Sequence, residues 1–181
     1  MEHFFTELQS YQRVCAYTPS GGSSGAAFFT VERKDGSISW YGDRDNNGIS
    51  NRPDGYVNST APTKASFALT WVQTRFQDST GNYIDYAYYE NLNNVVGEHL
   101  LWKVSYTGRV VLPGQTAPAQ TPFAQLTFLY QTKAAVDRSL GYVYGGAVTQ
   151  GHRLYAVQSE SDGNQLRYYS LNYAPSPSGS G

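Results

Sequence analysis

The stretch Asp43-Arg44-Asp45-Asn46-Asn47-Gly48-Ile49-Ser50-Asn51-Arg52-Pro53-Asp54 is where the sequence comes nearest to a metal-binding pattern. Ca²⁺ takes about six to eight oxygen ligands, alternate loop positions converge on one point, and Gly at the sixth position permits the sharp turn. Asp43, Asp45, Asn47, Asn51 and Asp54 are therefore the candidate calcium ligands, with Gly48 at the turn. Against calcium stand Arg44, Arg52 and the lack of a bidentate Glu at the twelfth position. The same residues also suit an Asn/Asp-rich turn held by side-chain to backbone hydrogen bonds. Melting curves with millimolar calcium and with chelator, repeated on Asp45→Ala, separate the two.

Other catalytic constellations are thin. Asp85 with Glu90 or Glu98 could supply an acid and a base, which must flank a bond across roughly 5–10 Å. Asp85, however, faces opposite to Ile84 and Tyr86 in an alternating run, as a solvent-facing strand residue does. Cys15 is the single cysteine, so neither an intramolecular disulfide nor a thiol pair for zinc is available. As a nucleophile it would need a histidine, and His3, His99 and His152 are not its sequence neighbours; a small buried hydrophobe is the plainer reading. Ser-His-Asp candidates exist by count only, without the strand-turn-helix context of a nucleophile elbow, and no phosphate-binding glycine motif occurs. The expectation is a protein that is not an enzyme, with no cofactor beyond the candidate Ca²⁺. The 16 Tyr and 3 Trp open a different possibility, a glycan-binding module, because exposed aromatic faces stack on sugar rings. Trp40, Trp71 and Trp102 lie in alternating runs, which instead assigns them to the core.

The elements that would carry these residues read as strand and turn throughout. Phe28 to Arg33 and Ser37 to Tyr41 alternate on either side of Lys34-Asp35-Gly36, and Asp-Gly is a preferred tight-hairpin pair because Gly accepts positive φ. Ser66 to Gln77 with Asn82 to Tyr89, and Arg153 to Ser159 with Leu166 to Tyr173, repeat the design. Leu100 to Tyr106 and Phe123 to Tyr130 add further strands. Thr18 to Gly25, Gly42 to Lys64, Leu112 to Pro122 and Ala174 to Gly181 read as loops or tail. The sum is an all-β fold of roughly nine to eleven antiparallel strands built from consecutive hairpins, repeat-like or sandwich-like, with helix expected only near Glu2 to Gln12. Its expected core is Phe29, Val31, Trp40, Trp71, Phe76, Ile84, Tyr86, Leu101, Val104, Phe128, Leu154, Val157, Leu166 and Leu171. Gly81-Asn82-Tyr83-Ile84-Asp85-Tyr86 is echoed by Gly163-Asn164-Gln165-Leu166-Arg167-Tyr168.

Length suits one domain, 1–174, followed by a Pro/Ser/Gly linker or tail over 175–181. A net charge of -1 leaves no electrostatic footprint for nucleic acid. No run approaches a membrane span, and Met1 to Leu8 has no signal-peptide pattern.

Asp78-x-x-Gly81-Asn82-x-Ile84-x-Tyr86-x-Tyr88 is similar to the YD repeat of RHS proteins. Trp71, then Leu101-x-Lys103-Val104-Ser105-Tyr106-Thr107-Gly108, resemble the N-terminal region of insecticidal toxin complex B components and virulence-plasmid-B-like proteins. Phe29-x-Val31-x-x-Lys34-Asp35-Gly36 with Tyr41-Gly42, and the close Arg167-x-Tyr169-x-Leu171-x-Tyr173, fit the same region, so the likeness covers 28–173. The resemblance implies a structural β module of a large secreted or surface-displayed bacterial toxin, partnered by neighbouring domains or toxin-complex subunits. With two repeat-like turns and no ADP-ribosylating or autoproteolytic domain, the chain inherits none of that family's activities. A segment cut from a continuing β array should leave sheet edges unpaired and prone to associate.

Overall fold

The computed structural model describes residues 2–4, 11–18, 26–42, 56–58, 68–90, 92–95, 97–143 and 146–173. In chain order the strands are β1 (Glu2–Phe4), β2 (Arg13–Tyr17), β3 (Phe28–Glu32), β4 (Ile38–Gly42), β5 (Tyr56–Asn58), β6 (Ala68–Trp71), β7 (Gln73–Gln77), β8 (Asn82–Glu90), β9 (His99–Arg109), β10 (Ala124–Thr132), β11 (Ser139–Val143), β12 (Gly146–Gln150), β13 (His152–Ser161) and β14 (Asn164–Ser170). Ten of them form one antiparallel sheet in the order β1-β2-β3-β4-β7-β8-β9-β10-β13-β14. The remaining four make two excursions, the ribbons β5-β6 and β11-β12. Helix is confined, among the described residues, to short 3₁₀ turns at Leu92–Asn94 and Ala135–Asp137. The all-β expectation therefore holds. The segment expected to hold helix begins instead with strand β1, which pairs with β2, and the expected loop after Gly42 contains β5.

The hairpins form where turn chemistry dictates. Gly36 takes φ 81°, its N–H donates to Arg33 O at 2.9 Å, and Asp35 Oδ1 accepts from the Ser37 N–H at 2.9 Å, closing the β3–β4 turn. Cross-strand pairs then fix the register. Tyr17 lies opposite Phe28 with rings stacked at 4.3 Å, and Phe29 meets Trp71 edge-on at 5.0 Å. On β8, Tyr83 lies over Gly108 of β9, where a Cβ would sit 2.3 Å from the ring. Arg75 stacks on the other side of Tyr83 at 3.9 Å and forks to Asp85 at 2.5 and 2.6 Å. Asp85 is thus a half-buried ion-pair partner, not the plain solvent-facing residue its alternation suggests.

The core differs from the expected one. Among the described residues the buried apolar side chains are small, Cys15, Ala16, Ala27, Val95, Ala124 and Ala156, and the large members of the expected list are half-buried apart from Leu166 and Leu171. Leu166 and Leu171 fall outside it altogether, 64% and 38% exposed. Alternation assigns a residue to a face of the sheet, but only a strand with neighbours on both sides shields that face well. β14 is the last strand of the order and has none on its outer side among the described residues. No helix among the described residues is long and apolar enough to cross a membrane.

Candidate functional site

The densest polar arrangement sits where the β8–β9 connection meets the corner between β12 and β13. Two glycines make that contact possible. Gly97, at φ 72°, packs so close to β12 that a Cβ would sit 2.5 Å from Ala147 O. Gly151 leaves no room for a side chain beside Val95, whose methyls would lie 2.8 Å from a Cβ there. The 3₁₀ turn is sharpened by Asn93 and Asn94, at φ 52° and 62°, a left-handed conformation that Asn tolerates.

This contact buries Glu98 and His152, residues 54 positions apart, at 3% and 5% exposure. Glu98 Oε1 accepts from the Gly151 and His152 backbone N–H groups, each at 2.9 Å. Its Oε2 pairs with His152 Nδ1. With Nδ1–H donating to the carboxylate, Nε2 is left as the acceptor for the Asn93 side-chain amide at 3.0 Å. The buried carboxylate thus gathers three donors, and both imidazole nitrogens are taken.

His99, the next residue after Glu98, is the opposite case. Both of its ring nitrogens are buried without a partner, and the ring stacks on Tyr88 at 4.7 Å. Burial pushes the His99 imidazole down to about 4 and the Tyr88 phenol up to about 12. The Tyr88 hydroxyl donates to Gln73 O at 2.7 Å. Nearby, the Tyr130 hydroxyl donates to Leu101 O at 2.7 Å; burial raises its pKa, with the Glu98 charge adding to the shift.

Beside the pair opens a cleft of about 520 Å³ walled by Lys133, Asp137, Gln150, Arg153 and Tyr173. Arg153 lies over the Tyr173 ring at 4.8 Å, and the Tyr173 hydroxyl donates to Leu154 O at 2.5 Å. No serine, threonine or cysteine lines the cleft. A base whose two nitrogens are already engaged, with no nucleophile beside it, has the geometry of a clamp that ties β9 to β13.

The sequence-derived sites fare differently. The candidate calcium ligands Asp43, Asp45, Asn47, Asn51 and Asp54 lie outside the described residues. Among the described residues no cluster of three or more His, Cys, Asp or Glu could hold a metal. Of the carboxylates weighed as acid and base, Asp85 pairs with Arg75 and Glu98 with His152. Cys15 is buried at 1% on β2. The Trp residues are half-buried, and the exposed aromatics of the described residues include Tyr142, Tyr168, Tyr169 and Tyr173 together with Phe4 and Phe123. The Glu98–His152 pair escaped the sequence reading because its members are distant; the available signal was a Gly directly before each, Gly97 and Gly151.

No family model matches the chain, and no curated protein matches it by sequence. Solved structures do match. The N-terminal domain of effector protein SpvB from Salmonella typhimurium strain LT2 superposes with a TM-score of 0.66 at 17% identity, over 94% of this chain and 63% of that one. The TcdB2-TccC3-Cdc42 crystal structure matches at 0.58 and 18% identity, over 83% of this chain and 8% of that chain. The Photorhabdus luminescens Tc holotoxin pore matches at 0.58 and 17% identity, over 87% and 8%. The chain thus shares a fold with parts of this effector protein and of these TccC3-containing and Tc holotoxin structures, while spanning less than two thirds of each chain.

Proposed function

We propose that the chain is a non-catalytic wall segment of a larger RHS/Tc-type toxin protein, secreted or displayed at the cell surface, which works by pairing with neighbouring segments or subunits. The observation that carries this reading is the ten-strand ladder itself. It is laid down nearly in chain order, it fully buries no large hydrophobic side chain among the described residues, and it ends on a strand with exposed Leu166, Tyr168 and Tyr169. Such a sheet gains burial by continuing into neighbours. The toxin components that share its fold support the reading, as does a cleft whose histidine has no free nitrogen. The test is the reading frame around the gene segment: continuation past Gly181 into further strand and turn units is expected, and a stop codon there overturns it.

The exposed tyrosines favour a second reading, a free-standing glycan-binding module. Fluorescence titration with a sugar panel separates the two. A wall segment keeps its emission unchanged, whereas a glycan site on Tyr142 or Tyr173 gives saturable quenching that the Ala variants lose.

A further inference from the structure

We infer that the outer edge of β14 is a docking site for one antiparallel strand, alternating in apolar residues and carrying an acidic residue opposite Arg167. The inference rests on the wall-segment reading and names its partner surface. The Leu171 N–H donates to Tyr155 O at 2.8 Å, so by the alternation of antiparallel pairs Tyr169 and Arg167 also turn their peptide groups towards β13. Tyr168 and Ser170 then aim theirs away from it, where no strand among the described residues pairs.

The internal echo says what belongs there. β8 follows Gly81 as β14 follows Gly163, and Asp85 and Tyr86 take the places of Arg167 and Tyr168. β8 is flanked by β7 on one side and β9 on the other, with Asp85 opposite Ser105 and Tyr86 opposite Val104. β14 has β13 where β8 has β7, and has no counterpart of β9 among the described residues. The charge differs in a telling way. Asp85 finds Arg75 on its inner neighbour, but Arg167 faces Ser159 on β13 and has no acidic partner among the described residues. Its complement has to come from the outer strand. Because the Arg167 peptide groups point inward, the outer residue opposite belongs to a non-hydrogen-bonded pair, in which side chains approach most closely.

The probe is a fluorescein-labelled peptide with the sequence of residues 99–109 and Ser105→Glu, titrated against the full chain by anisotropy. Saturable binding is expected. The peptide with Ser105→Lys should bind about fivefold more weakly, the upper end for a cross-strand charge pair, and Arg167→Glu in the chain should reverse the preference. Tyr168→Pro removes an outward N–H, is tolerated on an edge strand, and should abolish binding at an unchanged melting temperature. Equal affinity for the two peptides, binding that survives Tyr168→Pro, or no binding to the folded chain overturns the proposal. A dimer that depends on Tyr168 and excludes both peptides overturns it too, since a second copy then fills the edge. A frame ending at Gly181 refutes the wall reading; a chain in a continuing frame that ignores the peptide refutes only this edge assignment.

Discussion

The hairpins β7–β8 and β13–β14 share a sequence echo and are anchored differently. The first is tied down at its turn. Asp78 Oδ1 accepts from the Thr80 and Asn82 N–H groups at 2.9 Å and from the Thr80 hydroxyl at 2.8 Å, and Oδ2 accepts from the Asn82 amide at 2.9 Å. Val110 N–H then donates to Gly81 O at 2.9 Å, folding the turn under the next connection. The second turn is a two-residue reversal at Asp162 and Gly163, φ 50° and 76°, with open space around the glycine. One backbone bond, Asp162 N–H to Phe123 O at 2.8 Å, ties this turn, and the hairpin is gripped at its root, where His152 opens β13 against Glu98. Similar residues specify a reversal and a pairing; which end is buried depends on what the rest of the chain brings alongside.

The largest effect should come from the root. Breaking a buried, hydrogen-bonded pair leaves the partner uncompensated, so Glu98→Ala should cost about 3–5 kcal/mol in chemical denaturation. Hydrogen exchange should show the loss centred on β13 and β14, with β7 and β8 keeping their protection; uniform loss would break the contrast between the hairpins.

Next come the turn glycines. At Gly81 a Cβ would sit 2.6 Å from Val110 O at φ 95°, so Gly81→Ala should cost about 2–4 kcal/mol by crowding and left-handed strain together. Gly163→Ala carries only the conformational term, about 1 kcal/mol. Equal midpoints for the two variants would refute the different anchoring.

His99 sharpens the comparison through pH. His99, stacked on Tyr88 at the far end of β8, has its folded pKa depressed by burial to about 4, against about 6.5 in the unfolded chain. Its neutral form favours the fold, so its contribution is full above about 6.5 and is lost as pH falls towards 4, where the unfolded chain takes up a proton that the fold refuses. About 2 kcal/mol should vanish over that window after allowance for solvent screening, and His99→Phe should flatten the slope. The smallest contrast is between the arginines. Arg75→Ala strips a half-buried fork and the cover of Tyr83 and should cost about 1–2 kcal/mol, whereas exposed Arg167→Ala in the isolated chain should stay within about 0.5 kcal/mol.

Much of the architecture was legible because turn chemistry is local. Asp35-Gly36, Asp78 to Asn82 and Asp162-Gly163-Asn164 each announce a reversal within a few residues, and the strands on either side follow. Neighbours in space are not local. Leu166 and Leu171 alternate like core residues, yet they are exposed on a strand that has no outer neighbour among the described residues, which their own pattern does not report. Glu98 and His152 were single polar residues in strand-edge positions until the fold brought Gly97 and Gly151 against opposing backbone and side chain. The β11–β12 excursion was equally hidden, since its first strand, with Leu140 and Tyr142 outward, has little burial to leave a pattern.

The strand order carries a consequence for how the molecule is made. Apart from the two ribbons, each strand of the sheet lies beside the one that precedes it in the chain. No strand has to wait for a distant partner, and none has to be threaded between two already formed. A chain leaving a ribosome, or a secretion pore, can therefore add rungs vectorially from β1 to β14, each loop closure remaining short and its entropy cost modest. At every stage the newest rung, β14 being the last among the described residues, offers an open edge until another strand pairs with it.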